Sequence, residues 1–87
     1  MKTDNFSELI RIDEYSSTPK YLQLSNSIIN AIENGQLKSK DALPSINELS
    51  YIFEISRDTA EKGYRYLKSK GIIISVPGKG YYIGQTT

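Results

Sequence analysis

The stretch "SINELSYIFEISRDTAEKGYRYLKSKG", residues 45–71, contains two helical patterns with only a short interruption between them. In the first, Ser45 and Glu48 have the spacing of a capping box, in which each side chain bonds the backbone N–H of the other residue. In the second, Ser56 is the expected N-cap and Gly71 is the expected stop. A short helix, a tight turn and a longer helix in this order predict a helix-turn-helix.

The longer helix is amphipathic. Its small and apolar residues recur at three- and four-residue spacing and predict a buried face made of Ala60, Gly63, Tyr64 and Leu67. The opposite side of the helical wheel is polar and is expected to face solvent in the free protein, with Asp58, Lys62, Arg65 and Ser69 on it.

Flanking segments complete the predicted fold. An amphipathic helix is expected before the pair, with Thr18 as N-cap, Pro19 in the first helical position and Gly35 at the stop. A short strand is possible at Leu43, because the residue before a proline favours extended backbone. After Gly71, β-branched residues, a "PGKG" turn and "YYI" predict a β-hairpin, in which alternation buries one of the two adjacent tyrosines.

The expected fold is therefore mainly α with a small β-hairpin (α+β). It is a winged helix-turn-helix of three helices plus a two- to three-stranded wing. We assign residues 1–17 to an N-terminal arm, residues 18–83 to the winged domain and residues 84–87 to the start of a linker to a further C-terminal domain.

Composition excludes several classes of function. A chain of 87 residues makes one domain and is too small to fold around a large substrate cavity. Without cysteine or histidine it has no disulfide framework, no thiolate metal site and no usual proton shuttle at neutral pH. We therefore predict no catalytic residue, no metal and no cofactor, and we do not expect an enzyme. No apolar run or secretory signal is recognisable, so the default location is the cytoplasm.

Charge is distributed unevenly along the chain. The formal net charge is only +1, but residues 1–44 carry five basic and six acidic side chains, whereas residues 56–87 carry six basic and two acidic ones. The positive field therefore belongs to the predicted longer helix and wing, as in nucleic-acid-binding domains.

Four segments resemble the DNA-binding domain of the GntR family of bacterial transcription regulators. They are "TPKYLQLSNSIINAIENGQL" (18–37), "LPSINELS" (43–50), "ISRDTAEKGYRYLKSKGII" (55–73) and "PGKGYYI" (77–83). Each motif alone is weak, but four in the right order at the right spacing are specific.

The resemblance implies a homodimer on double-stranded DNA with a palindromic operator. It also implies a small-molecule effector that binds a C-terminal domain outside this chain. The longer helix is expected in the major groove and the wing on the adjacent minor groove or backbone. The predicted DNA-binding residues are Ser45, Asn47, Ser56, Arg57, Asp58, Thr59, Glu61, Lys62, Arg65, Gly78 and Lys79. Asn47 and Glu61 stand where the family often has arginine, which predicts fewer direct contacts to guanine.

Physical chemistry suggests roles for the residues at the start of the longer helix. Arg57 can donate two hydrogen bonds to one guanine, or it can pair with Glu61 at i, i+4. Asp58 and Glu61 can accept from a cytosine amino group or hold a neighbouring basic side chain. Asp58 can equally be a first-turn residue that complements the helix dipole. Ser56 and Thr59 can donate to phosphate.

Three further cations, Lys62, Arg65 and Lys79, have two alternative roles each. Lys62 and Arg65 lie on the outer face and suit either phosphate contact or an ordinary solvated surface. Lys79, between two glycines at the hairpin tip, can contact phosphate beside the longer helix or simply favour solubility. The tip lacks the spacing of a P-loop. Stacking of the seven tyrosines on single-stranded nucleic acid is a further alternative, which the core positions of Tyr21 and Tyr64 disfavour.

We therefore predict sequence-specific binding of double-stranded DNA by a transcription regulator, a ligand-responsive repressor. The alternative is a winged-helix protein-interaction module that does not bind DNA, which the near-zero net charge and the two acids of the longer helix would suit.

Overall fold

The structure, a computed structural model, describes residues 2–84, with side chains from residue 6 onward. Within this part of the chain it contains four helices and three strands: α1 (Lys2–Leu9), α2 (Lys20–Glu33), β1 (Ala42–Leu43), α3 (Ile46–Phe53), α4 (Arg57–Ser69), β2 (Ile73–Val76) and β3 (Gly80–Ile83). The strands form one antiparallel sheet in the order β1, β3, β2. The predicted winged helix-turn-helix is confirmed. The segment assigned to the linker lies outside the described residues, apart from Gly84.

Helix α1 is an addition to the predicted fold, because residues 1–17 were assigned to an arm with no helix. Helix α1 has eight residues and is too short to be stable alone. Burial supplies the missing stability, since Phe6 and Ile10 are each only 3% exposed in the common core. The loop that follows is held by Gln23, whose Nε2 donates to the carbonyls of Asp13 and Thr18.

Helix α2 begins one residue later than predicted. Pro19 rather than Thr18 is the N-cap, because its ψ of 145° places it in extended backbone before the first helical residue. No side chain caps this end of the helix. The predicted C-terminal stop of α2 is confirmed, with Gly35 in the left-handed region at φ 79°.

The helix-turn-helix forms through the expected caps. Ser45 Oγ accepts from the Glu48 backbone N–H at 3.1 Å, and the Ser45 backbone N–H donates to Glu48 Oε1 at 2.8 Å. Helix α3 ends at Glu54, which adopts a left-handed conformation with φ 54°. The chain then turns through the buried Ile55, and α4 starts after Ser56.

Helices α2 and α4 cross at close range. A Cβ atom on Gly63 would lie 2.7 Å from Leu24 Cδ2 and 3.2 Å from the Tyr21 carbonyl oxygen, so a larger residue would force Leu24 or the α2 backbone to shift. The buried Ser25 hydroxyl lies 2.8 Å from the Tyr21 carbonyl oxygen and 3.1 Å from the Gly63 carbonyl oxygen, and its one proton is shared between these two acceptors. The predicted inner face of α4 is confirmed, since Ala60, Gly63, Tyr64 and Leu67 are all buried.

The wing is a regular hairpin with a tight tip. Val76 pairs with Gly80, and the Lys79 backbone N–H donates to the Val76 carbonyl at 2.9 Å. Pro77 followed by Gly78 at φ 76° fits a type II turn. The expectation that alternation buries one of the two tyrosines is wrong.

Tyr81 and Tyr82 lie on opposite faces of the central strand, and both are half-buried. Tyr81 packs against Tyr64 of α4. Tyr82 lies on the other face, opposite Ala42 and Ile74.

Tyr64 connects α4 to two other elements. Its hydroxyl donates to the Pro44 carbonyl at 2.6 Å, and its ring centroid lies 4.7 Å from that of Tyr81. Burial raises the pKa of the Tyr64 phenol well above its usual value, with smaller contributions from Tyr81 and Glu48. Tyr64 is therefore a neutral hydrogen-bond donor throughout the physiological pH range.

None of the helices described between residues 2 and 84 is long and apolar enough to cross a membrane.

We expect Tyr64→Phe to lower the free energy of unfolding by about 1–2 kcal/mol, because it leaves the buried Pro44 carbonyl without its donor. Urea unfolding at neutral pH measures the change. Tyr51→Phe is the matched control, since Tyr51 is 86% exposed and should be neutral. Equal stability of the Tyr64→Phe variant and the parent would contradict the role given to this bond.

Candidate nucleic-acid interface

An open groove of about 620 Å³ lies where the N-terminal ends of α3 and α4 meet strand β3. The residues that line it come from all three elements: Ser45, Ile46, Asn47, Arg57, Asp58, Glu61 and Tyr81. Five of the eleven predicted DNA-binding residues therefore share one concave surface. We call it the α3–α4 groove.

Both helix ends at this groove are capped by serine. Ser45 caps α3, and Ser56 Oγ accepts from the Thr59 backbone N–H at 3.0 Å while its hydroxyl donates to Thr59 Oγ1 at 2.8 Å. The first N–H groups of a helix have no partner within the helix, and the caps satisfy only some of them. The groove therefore combines two positive helix ends with one cation, Arg57, and two acids, Asp58 and Glu61.

Arg57 is exposed and has no ion pair among the described residues. The predicted alternative, a pair with Glu61, is not formed, because Glu61 Oε2 lies 3.2 Å from an Arg65 side-chain nitrogen instead. Arg65 and Glu61 also line a smaller pocket beside Tyr81, on the wing side of α4. The guanidinium of Arg57 is therefore available to a ligand.

Lys62 does not line the groove. Its Nζ lies 4.4 Å from the centroid of the Tyr21 ring, which is a cation–π contact with α2. Thr59 is half-buried and bonded to Ser56. Lys62 therefore lies on the side of α4 that faces α2, and Glu61 and Arg65 lie on the side that faces the wing.

Gly78 and Lys79 form the wing tip and do not line the groove. Both are exposed, and Tyr81, two residues beyond Lys79, contributes to the groove wall. Strand β3 thus lies beside the N-terminal half of α4, and the turn that contains Lys79 immediately precedes this strand.

Sequence reasoning missed Tyr81 and Ile46 as groove residues. Tyr81 was treated only as half of an alternating pair. Its packing on Tyr64 could have been inferred by placing it on the same sheet face as Ile83, two residues on. Ile46, in the first turn of α3, is half-buried with one part open to the groove.

These features define the class: a winged helix-turn-helix whose second helix presents exposed polar residues beside the wing. The sequence model described as "Bacterial regulatory proteins, gntR family" matches residues 20–83. The chain belongs to this family. The family is one of transcription regulators and not of enzymes, so the predicted DNA-binding domain of this family is confirmed.

Individual relatives agree with this assignment. The chain is 38% identical over 77 residues to the "HTH-type transcriptional repressor YtrA" of Bacillus subtilis, covering 88% of this chain and 59% of that repressor. The structure of YtrA from Sulfolobus acidocaldarius, a GntR-family transcription factor, superposes with a TM-score of 0.83 at 38% identity, covering 91% and 83% of the two chains. AraR(DBD) in complex with operator ORX1 gives a TM-score of 0.76 at 29% identity, covering 86% and 96%.

We expect Ser56→Ala to lower the free energy of unfolding by about 1 kcal/mol, because it removes the acceptor for the Thr59 backbone N–H. Thermal unfolding followed by circular dichroism measures the loss. Ser56→Asp keeps an acceptor at the N-cap and should recover most of it. A Ser56→Asp variant as unstable as Ser56→Ala would show that the cap is not the source of the effect.

Proposed function

We propose that the chain binds double-stranded DNA sequence-specifically through the α3–α4 groove and the wing, as the operator-binding part of a bacterial transcription repressor. The observation that carries this proposal is the groove itself, where the exposed first turns of α4 lie between the α3 N-terminus and strand β3. The DNA major groove is about 12 Å wide and admits one helix, whose N-terminal residues reach the base edges. In this arrangement α4 enters the major groove.

The predicted contact residues divide into two groups by chemistry. Arg57 suits a bidentate contact to guanine, and the amide of Asn47 suits adenine. Ser45, Ser56 and Thr59 lie at the helix N-termini, where hydroxyl and backbone N–H groups suit phosphate oxygens. These contacts would fix the position of α4, while Arg57 and its neighbours read the sequence.

The flanks of α4 extend the contact to the backbone. On the wing side, Gly78 lets the tip approach closely and Lys79 contributes a cation for phosphate or the adjacent minor groove. On the α2 side, Tyr21 holds the Lys62 ammonium at the edge of α4. Lys62 thus suits phosphate better than a base edge.

The protein to which this chain belongs would act as a homodimer on a palindromic operator in the cytoplasm. Residues 84–87 would lead to a C-terminal domain that binds a small-molecule effector. The further domain is supported by the Bacillus subtilis repressor YtrA, because the aligned segment covers only 59% of its length. Two linked half-sites would raise affinity without further contacts in either winged domain.

Arg57→Ala is expected to remove preference for one base pair, a loss of about 1–3 kcal/mol of discrimination. Competition between duplexes that differ at single positions measures it. Arg11→Ala removes the same charge outside the groove and should leave the base preference unchanged. An Arg57→Ala variant with the full sequence preference of the parent would count against the proposed groove contact.

Lys79→Ala is expected to weaken binding to all duplexes alike and to reduce the slope of log K against log salt by about 0.9, the contribution of one phosphate contact. A titration over several salt concentrations gives the slope. Lys38→Ala, an exposed lysine before β1 and away from the hairpin tip, is the control. An unchanged slope would place Lys79 off the DNA.

A further inference from the structure

The ion pair between Glu61 and Arg65 lies in the part of α4 that would face DNA, where a carboxylate is repelled by phosphate. Building on the function proposed above, we propose that Glu61 is a specificity residue that accepts a hydrogen bond from the amino group of cytosine. Arg65 acts as the positioning residue for its carboxylate.

The position of Glu61 fits this role. It lies one turn after Arg57 on the wall of the α3–α4 groove, and its side chain is 57% exposed. The pair with Arg65 engages Oε2 at 3.2 Å. The carboxylate has a second oxygen, Oε1, which can accept from a base.

The choice of partner follows from helix geometry. Arg57 and Arg65 both lie four residues from Glu61, one before it and one after it. An acid N-terminal to its basic partner at i, i+4 is the more favourable orientation, because both charges then complement the helix dipole. The pair with Arg65 therefore leaves Arg57 free to donate to guanine.

The donor and acceptor code of the major groove selects cytosine. A carboxylate can only accept, and guanine and thymine present only acceptor atoms along this edge. Adenine offers an amino donor next to its N7 acceptor, which repels a carboxylate, whereas cytosine offers its N4 amino group alone. Cytosine is therefore the base that best matches Glu61.

The spacing of the two reading residues predicts the spacing of their bases. Four residues of an α-helix span about 6 Å. Successive base pairs rise by about 3.4 Å, so this length covers roughly two base steps when the helix follows the groove. We expect the cytosine read by Glu61 to lie about two steps from the guanine read by Arg57.

Arg65 makes the acid tolerable at this interface. The pair has no net charge, so a phosphate near it meets a dipole instead of an isolated carboxylate. Arg65 also restricts the rotamers of Glu61, which sharpens its choice among bases. Loss of Arg65 should therefore reduce discrimination as well as affinity.

Selection from a randomised duplex pool at low salt tests the proposal, using the complete 87-residue chain and its Glu61→Gln and Glu61→Ala variants. The parent should enrich one cytosine position and bind its selected duplex about 5- to 150-fold more tightly than a duplex altered there. Glu61→Gln should change that base to adenine, since an amide pairs with adenine N6 and N7. Glu61→Ala should lose preference at that position alone.

Glu33→Gln is the matched control, because it removes the same charge from an exposed site on α2 and should select the sequence of the parent. Arg65→Ala should reduce discrimination at the cytosine position, and Arg65→Lys should restore part of it. The inference is overturned if the parent selects a sequence and both Glu61 variants select the same sequence as the parent. A parent that selects no sequence at all overturns the proposed sequence-specific binding of DNA, and this inference with it.

Discussion

One buried hydrogen bond, from the Tyr64 hydroxyl to the Pro44 carbonyl, sets the relation among the elements that form the α3–α4 groove. Pro44 immediately precedes the N-cap of α3, and the Tyr64 ring packs on Tyr81 of β3. A buried phenol without a partner would be strongly unfavourable, so α4 cannot shift relative to α3 without breaking this contact or leaving it unsatisfied. The shape of the exposed groove is therefore determined from inside the core.

The opposite side of α4 is fixed by its crossing with α2. Gly63 lets the two backbones approach, and the Ser25 hydroxyl bonds carbonyls of both helices. Contact on two sides determines the rotation of α4 about its axis. This rotation matters because successive helical residues differ by about 100°, so a shift of one residue would bring Lys62 into the groove in place of Glu61. The sign of the charge that α4 presents in the α3–α4 groove thus depends on a glycine in the core.

Sequence reasoning succeeded where structure is local and failed where it depends on distant contacts. The capping box at Ser45 and the cap at Ser56 are properties of four consecutive residues, and both were predicted correctly. Helix α1 was not predicted, because its stability comes from burial of Phe6 against the rest of the core. The side toward which Lys62 points could not be predicted either, since it depends on a tyrosine 41 positions away in the sequence. Most of the residues that line the groove were predictable from the sequence, but the ion pair between Glu61 and Arg65 was not.

A binding face that mixes acids and bases favours discrimination over affinity. Each lysine on phosphate strengthens binding to every duplex equally, whereas a carboxylate weakens binding to every duplex except those that offer it an amino group. In the proposed complex, Asp58 and Glu61 would therefore lower the affinity for non-specific DNA more than the affinity for a matched site. A single winged domain of net charge +1 would then bind weakly, and two domains joined on a palindrome would recover affinity through effective concentration. Near-neutral charge is consistent with a DNA-binding role when selectivity comes from base edges and strength comes from pairing of two copies.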